Sequence, residues 1–415
     1  MKIAIVSFNL FVAGGARLIF NLAHELVGRG HRVTIYTPDL DAAAYGDLTR
    51  GLDIRVVTTR RPITYFKSRK PQRFLGWLSA KLKHERGFID ASRSIAAAVD
   101  ADVDVLSIHD SAYRVGYYYR RRNANARVAW TVNGPPFRYL PRGRLFYDLF
   151  GYGYQFLRRL MTKRFMRSID EATVLANADR SWLAGYPVHH VSVVRAGLDF
   201  NKFYAPVKDY REKARRKFVQ LFAVGALNEH RRYNNVLAAV RYLRDRGYDA
   251  HARIVANNIW NEDQCRDSLI AFVRDNKLED AVELNFNGVS EDELVRCYRD
   301  ADIFVQAVYV PPPGHHGWGL VNFEAMAAGI PVVVCRSSTA TEILTDGKDV
   351  LLVDPLSPEQ IAEQVQKLVD DPELYKSIAE AGQNVARGMS WERYGEEMLR
   401  VFGLPATDRG ERVRV

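Results

Sequence analysis

The sequence predicts an α/β protein of two similar halves, each a parallel sheet covered by helices, and three observations carry that expectation. The chain opens on strand, glycine loop, helix and strand; the same alternation restarts near Phe218; and a glycine-opened helix precedes a β-branched run over residues 317–334. Lys2 to Val6 is the first apolar strand. Phe8 to Ala16 is a loop holding Gly14 and Gly15, Arg17 to Arg29 is a helix stopped by Gly30, and His31 to Tyr36 is the next strand. That order makes a Rossmann-type half, in which ligands sit at the carboxyl ends of the strands. In the second half Phe218 to Val224, His251 to Ala256, Val282 to Phe286 and Ile303 to Val308 read as strands, with helices over Asn235 to Arg246 and Glu291 to Arg299.

Within the first half, Val103 to His109 and Val128 to Val132 are further strands, and Glu171 to Asn177 is the last strand region. Their tips, His109-Asp110 and Asn133-Gly134-Pro135-Pro136, point at one crevice. His109 is a candidate catalytic group or a satisfied strand-end histidine. Asn133 can hydrogen-bond but cannot move a proton, and reads equally as a turn asparagine. Asp102 and Asp104 superficially resemble a metal pair, but they begin a strand, away from the crevice, so no metal is expected there. The expected domains are 1–205 and 206–389, with a charged hinge over Lys208 to Lys217, a returning helix in 390–405 and a mobile tail over 406–415.

The 415 residues suffice for two cores, and 47% hydrophobic with 26% charged residues is ordinary globular composition. Cys265, Cys297 and Cys335 lack metal spacing and are read as reduced, in a cytoplasmic setting. The amino terminus reads as a strand rather than a signal peptide, and no stretch approaches the roughly 20 apolar residues of a membrane span. A net charge of +10 asks for an anionic partner. Much of it lies in two basic-aromatic stretches, 65–88 and 137–166, which fit an amphipathic surface on an anionic membrane or a solvated basic face. No RNA-binding signature accompanies them, so no nucleic acid is expected.

The stretch His316 to Val334 reads HGWGLVNFEAMAAGIPVVV. Gly317 and Gly319 open a loop, Leu320 to Ala328 forms a helix, and Gly329 ends it. Helix-start amides at Gly319, Leu320 and Val321 suit a phosphate, and Glu324 adds an acceptor for hydroxyls. Together these describe a nucleotide-sugar site. The run G-W-G-L-V-x-x-E-A-M-A-x-G-x-P-V-V resembles the signature of the family 4 retaining glycosyltransferases.

That resemblance implies the GT-B fold, two Rossmann-like domains facing a central cleft, and a donor that is a nucleotide diphosphate sugar, with no other cofactor. It places Glu324 on the ribose, and Arg231 and Arg232 on the diphosphate as a clamp. The Gly14-Gly15-Ala16-Arg17 loop is similar to the family's G-G-A-E-R loop near donor and acceptor, with Gly15 at the donor. Three positions depart: His316 stands for a glutamate beside the sugar, Asn133 for a histidine, and Ala226 for an arginine. His316, Asn133, His109 and Arg231 are the implied catalytic set. Trp318 offers an aromatic platform for the sugar, and Ser338, Thr339 and Glu342 stand where the family often has Gly-Gly and then Glu, their hydroxyls replacing backbone contacts to phosphate or simply forming a turn. The implied reaction is metal-independent, retaining transfer of a hexose-type sugar to a glycan or lipid-linked acceptor, at the inner face of the membrane. A non-catalytic homologue that binds sugar nucleotide or lipid, and a GT-B epimerase or phosphorylase, stay open.

Overall fold

The computed structural model describes residues 1–10, 14–41, 46–61, 63, 74–134, 136, 145–311 and 317–404. His316, His315, Gly314 and the tail expected over 406–415 lie outside the described residues. The chain divides into two compact units, Met1–Gly197 with Trp391–Val415, and Leu198–Ser390. The first division thus falls at Gly197 rather than after residue 205.

In the first unit seven strands form one parallel sheet: β1 (Lys2–Val6), β2 (Arg32–Thr37), β3 (Asp53–Val56), β4 (Val105–His109), β5 (Arg127–Val132), β6 (Glu171–Val174) and β7 (His190–Val193). Their order is β3-β2-β1-β4-β5-β6-β7, with Ile3 registered against both Val33 and Val105. The central strand β4 is buried throughout, as expected of a strand covered on both faces. The order reverses between β1 and β4, so the crevice lies at the carboxyl ends of those two strands. The helix Trp391–Val401 belongs to this unit: Arg29 Nη2 donates to the Glu392 carbonyl at 3.2 Å, and Gly395 lies against Glu25.

The second unit repeats the plan with six parallel strands, β8 (Phe218–Ala226), β9 (Asp249–Asn257), β10 (Val282–Asn285), β11 (Ile303–Gln306), β12 (Val332–Cys335) and β13 (Leu351–Val353). The order is β10-β9-β8-β11-β12-β13, and the reversal falls between β8 and β11. Both units are therefore Rossmann-like, as the sequence predicts.

Lys208 to Lys217 is no hinge. Lys213 Nζ reaches Asp302 Oδ1 at 2.6 Å and Lys208 Nζ reaches it at 3.4 Å. Asp302 is fully buried and its other oxygen takes the Gln220 amide at 2.9 Å. Tyr210 stacks on Tyr375 with ring centroids 4.4 Å apart. A buried carboxylate with converging cations fastens this segment to the second unit, so charge density here marks an anchor rather than a linker.

Two helices of the first unit carry the described parts of the basic-aromatic stretches, Phe74–Ala98 and Leu145–Met166. Some of their basic and aromatic groups turn inward. Glu85 takes Arg114 Nη2 at 2.6 Å, Arg158 Nε at 2.7 Å and the Tyr154 hydroxyl at 3.1 Å. Burial pushes the Glu85 carboxyl up, but the Arg158 and Arg114 guanidiniums outweigh it and hold it below the usual carboxylate range. Arg158 and Tyr154 are thus interior fasteners, which corrects the expectation of a wholly surface role for that stretch. The outer side of the same helix is different: Leu149, Phe150, Tyr152, Phe156, Leu157, Leu160 and Met161 are all exposed, Leu149 at 68% and Phe156 at 66%.

Candidate functional site

At the first unit's crevice the glycine loop after β1 meets the tips of β4 and β5. A methyl group built on Gly15 would stand 3.7 Å from Asn133 Nδ2 and 3.9 Å from Asp110 Oδ2. Asp110 organises this corner. Its two carboxylate oxygens accept from the Asn133 amide at 2.9 Å and from Asn133 Nδ2 at 3.1 Å, and its carbonyl accepts from Trp130 Nε1 at 2.8 Å. Its backbone is left-handed, with φ 48°, a conformation that costs a non-glycine residue about 1 kcal/mol and concentrates at functional sites. Burial pushes its carboxyl above the usual range despite the two bonds from Asn133. Asn133 Oδ1 stays buried with no partner among the described residues.

Asp110 is the residue the sequence reading passed over. Its signal was its place at a strand tip, one position beyond the histidine that drew attention. His109 itself is 1% exposed, and burial drives its imidazole down to about 3, so the ring is neutral at ordinary pH. The structure brings Gly15, Asp110 and Asn133 together and leaves His109 inside. Asp102 and Asp104 sit at the opposite end of β4, where Lys2 engages both: its side chain pairs with Asp102 and its amide donates to Asp104 Oδ2 at 2.8 Å.

At the second unit's crevice β8 ends on Gly225 and Ala226. Gly225 has φ 152°, and a Cβ there would stand 3.0 Å from Arg231 Cζ and 3.2 Å from the Tyr233 hydroxyl. The strand tip must be bare for the Arg231 guanidinium to lie on it. A single turn, Glu229–Arg231, carries that arginine, and Asn228 caps it by accepting from the His230 amide. Arg231 Nε and the Tyr233 hydroxyl are buried without a partner among the described residues. Burial pushes the Tyr233 phenol up to about 12, so it stays an O–H donor. Arg232 is exposed, left-handed at φ 49°, with its guanidinium 5.6 Å from the Tyr309 ring centre. The Tyr309 amide donates to the His230 carbonyl at 2.8 Å, joining the loops that follow β8 and β11.

The signature helix spans Leu320–Ala327, with Gly319 as a left-handed N-cap at φ 72°. Gly329 ends it at φ 69°, where a Cβ would come within 2.8 Å of the Ala205 carbonyl. Glu324 is 4% exposed and accepts from the Tyr298 hydroxyl at 2.8 Å. Trp318 is 3% exposed and stacks on Phe323 at 5.3 Å, so it is a packing residue and not an open sugar platform. Ser338, after β12, is buried with its hydroxyl lacking a partner among the described residues, and Thr339 and Glu342 continue that turn. Arg231, Arg232, Gly319, Leu320, Val321 and Glu324 therefore all follow the carboxyl ends of β8 and β11 in one unit. His316 lies outside the described residues.

Residues 208–385 match the family described as Glycosyl transferases group 1, and residues 12–202 match Glycosyltransferase Family 4. The chain belongs to the family 4 glycosyltransferases. Among its relatives are the mannosylfructose-phosphate synthase of Agrobacterium fabrum, 27% identical over 51% of this chain and 47% of that protein, and a D-inositol 3-phosphate glycosyltransferase of Corynebacterium urealyticum, 26% identical over 59% of each. The chain thus spans about half the length of these curated relatives. Sucrose-phosphate synthase of Thermosynechococcus elongatus superposes with a TM-score of 0.72 at 17% identity over 97% of this chain and 98% of that one. Anabaena HepE, solved with UDP and glucose, gives 0.70 at 15% identity over 97% and 99%. Family 4 membership and these neighbours establish the GT-B fold.

Proposed function

We propose that this family 4 chain transfers a hexose-type sugar from a nucleotide diphosphate sugar to a glycan or lipid-linked acceptor, with retention of configuration and without a metal. The observation that carries the donor half is the second unit's crevice. A guanidinium lies on a bare strand tip, and a glycine-opened helix start with a buried glutamate follows the neighbouring strand. Fixed cations and helix amides stabilise a leaving diphosphate without reorganising. In the reaction the bond from the sugar's anomeric carbon to the diphosphate oxygen breaks, the acceptor oxygen bonds to the same face of that carbon, and its proton passes to the leaving phosphate. Arg231, with Arg232, offsets the charge that develops, and Glu324 holds the ribose hydroxyls. Asn133 and Asp110 hydrogen-bond the acceptor.

Titration of the purified chain with UDP, GDP and ADP sugars by calorimetry tests this. One nucleotide sugar should bind tightly and be turned over when the matching acceptor is supplied. Binding without release of nucleotide for any acceptor favours the non-catalytic homologue, and phosphate-dependent cleavage favours a phosphorylase.

The acceptor half of the proposal places the protein at the cytoplasmic face of a membrane. Among the described residues no helix is long and apolar enough to cross one. The outer side of Leu145–Met166 nonetheless exposes seven large apolar residues, and Arg159 and Arg164 beside them are exposed and basic. That pairing suits an anionic lipid surface. The chain should sediment with vesicles containing phosphatidylglycerol, and Phe156→Glu together with Leu160→Glu should abolish it. Equal sedimentation of this variant would separate the helix from any membrane role.

A further inference from the structure

Strand β11 ends on a residue that the nucleotide-sugar reading leaves unused. Its side chains alternate between the faces of the sheet. Ile303 and Val305 join the main core of the second unit, Phe304 packs near Phe222 and Tyr298, and Gln306 follows Phe304 onto that second face. There Gln306, 5% exposed, meets the fully buried Asn322 of the signature helix. Asn322 Nδ2 donates to Gln306 Oε1 at 3.0 Å. Gln306 Nε2 and Asn322 Oδ1 are buried and have no partner among the described residues.

A carboxamide pair that leaves one donor and one acceptor unmet is a poor way to fill a core, since leucine there would carry no such penalty. Its position explains what it is for. A methyl group built on Gly319 would stand 3.0 Å from both Asn322 Nδ2 and Gln306 Nε2, so the amides lie directly against the N-cap of the helix. Leu320 and Val321 begin that helix, where backbone N–H groups and the dipole favour an anion. Gln306 also ends one of the two strands between which the order reverses, which is where open α/β sheets bind ligands.

We propose that Gln306 and Asn322 are donor-positioning residues. The free N–H of Gln306 donates to an oxygen of the outer phosphate of the diphosphate seated at the Gly319 helix start, and the free C=O of Asn322 accepts from a hydroxyl of the sugar bonded to that phosphate. This rests on the nucleotide-sugar reading and deepens it by two residues of that site. The Tyr298–Glu324 bond ties the same helix to the same face of the sheet. The helix start and the pair beneath it therefore form one preorganised unit.

The test uses the full chain, with Gln306→Leu and the isosteric Gln306→Glu. Thermal unfolding is followed without ligand and with UDP, GDP and ADP, and with the corresponding monophosphates; affinity is then titrated for the nucleotide that the unaltered chain binds. Without ligand, Gln306→Leu should melt at or above the temperature of the unaltered chain. Its affinity for the diphosphate should fall about tenfold, with that for the monophosphate kept. Gln306→Glu should lose more, because a carboxylate then faces phosphate. Early melting of Gln306→Leu with Gln306→Glu at full diphosphate affinity, or equal losses for mono- and diphosphate, would reduce the pair to a structural fastener and overturn the proposal. If the unaltered chain binds none of these nucleotides, the nucleotide-sugar reading falls, and the pair's role with it. If it binds and both variants match it, the pair's role alone falls.

Discussion

Arg231→Ala is expected to lower turnover by about 100-fold while leaving the fold intact, the scale seen when one preorganised donor to a developing charge is removed. The guanidinium rests on Gly225, and its Nε is buried without a partner among the described residues. A cation held in this way on a bare strand tip contributes little to the unit's own cohesion. Its removal leaves Tyr233 with its hydroxyl still in place, so packing around Gly225 survives. Arg231→Lys should fall between, since lysine supplies the charge but not the planar fork. The check is kcat/KM for the nucleotide sugar that calorimetry selects, beside a thermal melt. Unchanged turnover in Arg231→Ala would take this residue out of the site.

The second large effect is expected at Glu324, and there stability and binding move together. The carboxylate is 4% exposed and takes the Tyr298 hydroxyl at 2.8 Å. Glu324→Ala removes the charged acceptor of that buried hydroxyl, which keeps only the Val321 carbonyl at 3.3 Å, at a cost of about 1–3 kcal/mol to the unit, and removes the group proposed to hold the ribose. Tyr298→Phe separates the two. It deletes the hydroxyl and leaves the carboxylate. If Glu324 serves the nucleoside, Tyr298→Phe should keep most of the affinity and Glu324→Gln should lose about tenfold or more, because the amide offers one neutral accepting oxygen where the carboxylate offers two charged ones. The opposite ranking in a calorimetric titration would make Glu324 a partner for Tyr298 and nothing else.

The plan of the fold was legible because most of its strands are apolar runs, and glycines mark the turns that matter. Gly30, Gly319 and Gly329 all have positive φ where the sequence placed helix boundaries. What escaped was short, exposed or masked by charge. Strand β3 is an edge of four residues with Asp53 and Arg55 in it, and β13 has three, so neither shows a usable alternation. The helices Pro358–Asp370 and Pro372–Arg387 went unread, although Ser357-Pro358 and Asp371-Pro372, capping residues each followed by proline at the first turn, mark their starts. Lys208 to Lys217 looked like a linker because charge correlates with exposure, whereas here the lysines answer a buried aspartate almost a hundred positions away in sequence.

For the site, the resemblance pointed to Glu324 and Arg231, and the structure places both after the strand tips at the second unit's crevice. Sequence spacing could not show that Asp110 rather than His109 reaches Asn133, since adjacent residues at a strand tip point in opposite directions. Nor could it show that Trp318 turns inward onto Phe323. Gln306 and Asn322 lie sixteen positions apart and look unremarkable singly; only their contact shows a pair.

The cysteines are unevenly placed. All three fall in the Leu198–Ser390 unit, and none in the rest of the chain. Cys335 sits on β12 with no exposure, its thiol pushed up to about 12 by burial; Cys297 is buried too, and Cys265 is partly exposed. A thiol reagent needs an accessible thiolate. Cys265 should therefore react promptly, and the other two only when strands and helices of that unit part. The protein carries a native stopwatch: mass shifts beyond the first alkylation would time the opening of the Leu198–Ser390 unit alone, with no label engineered into the chain.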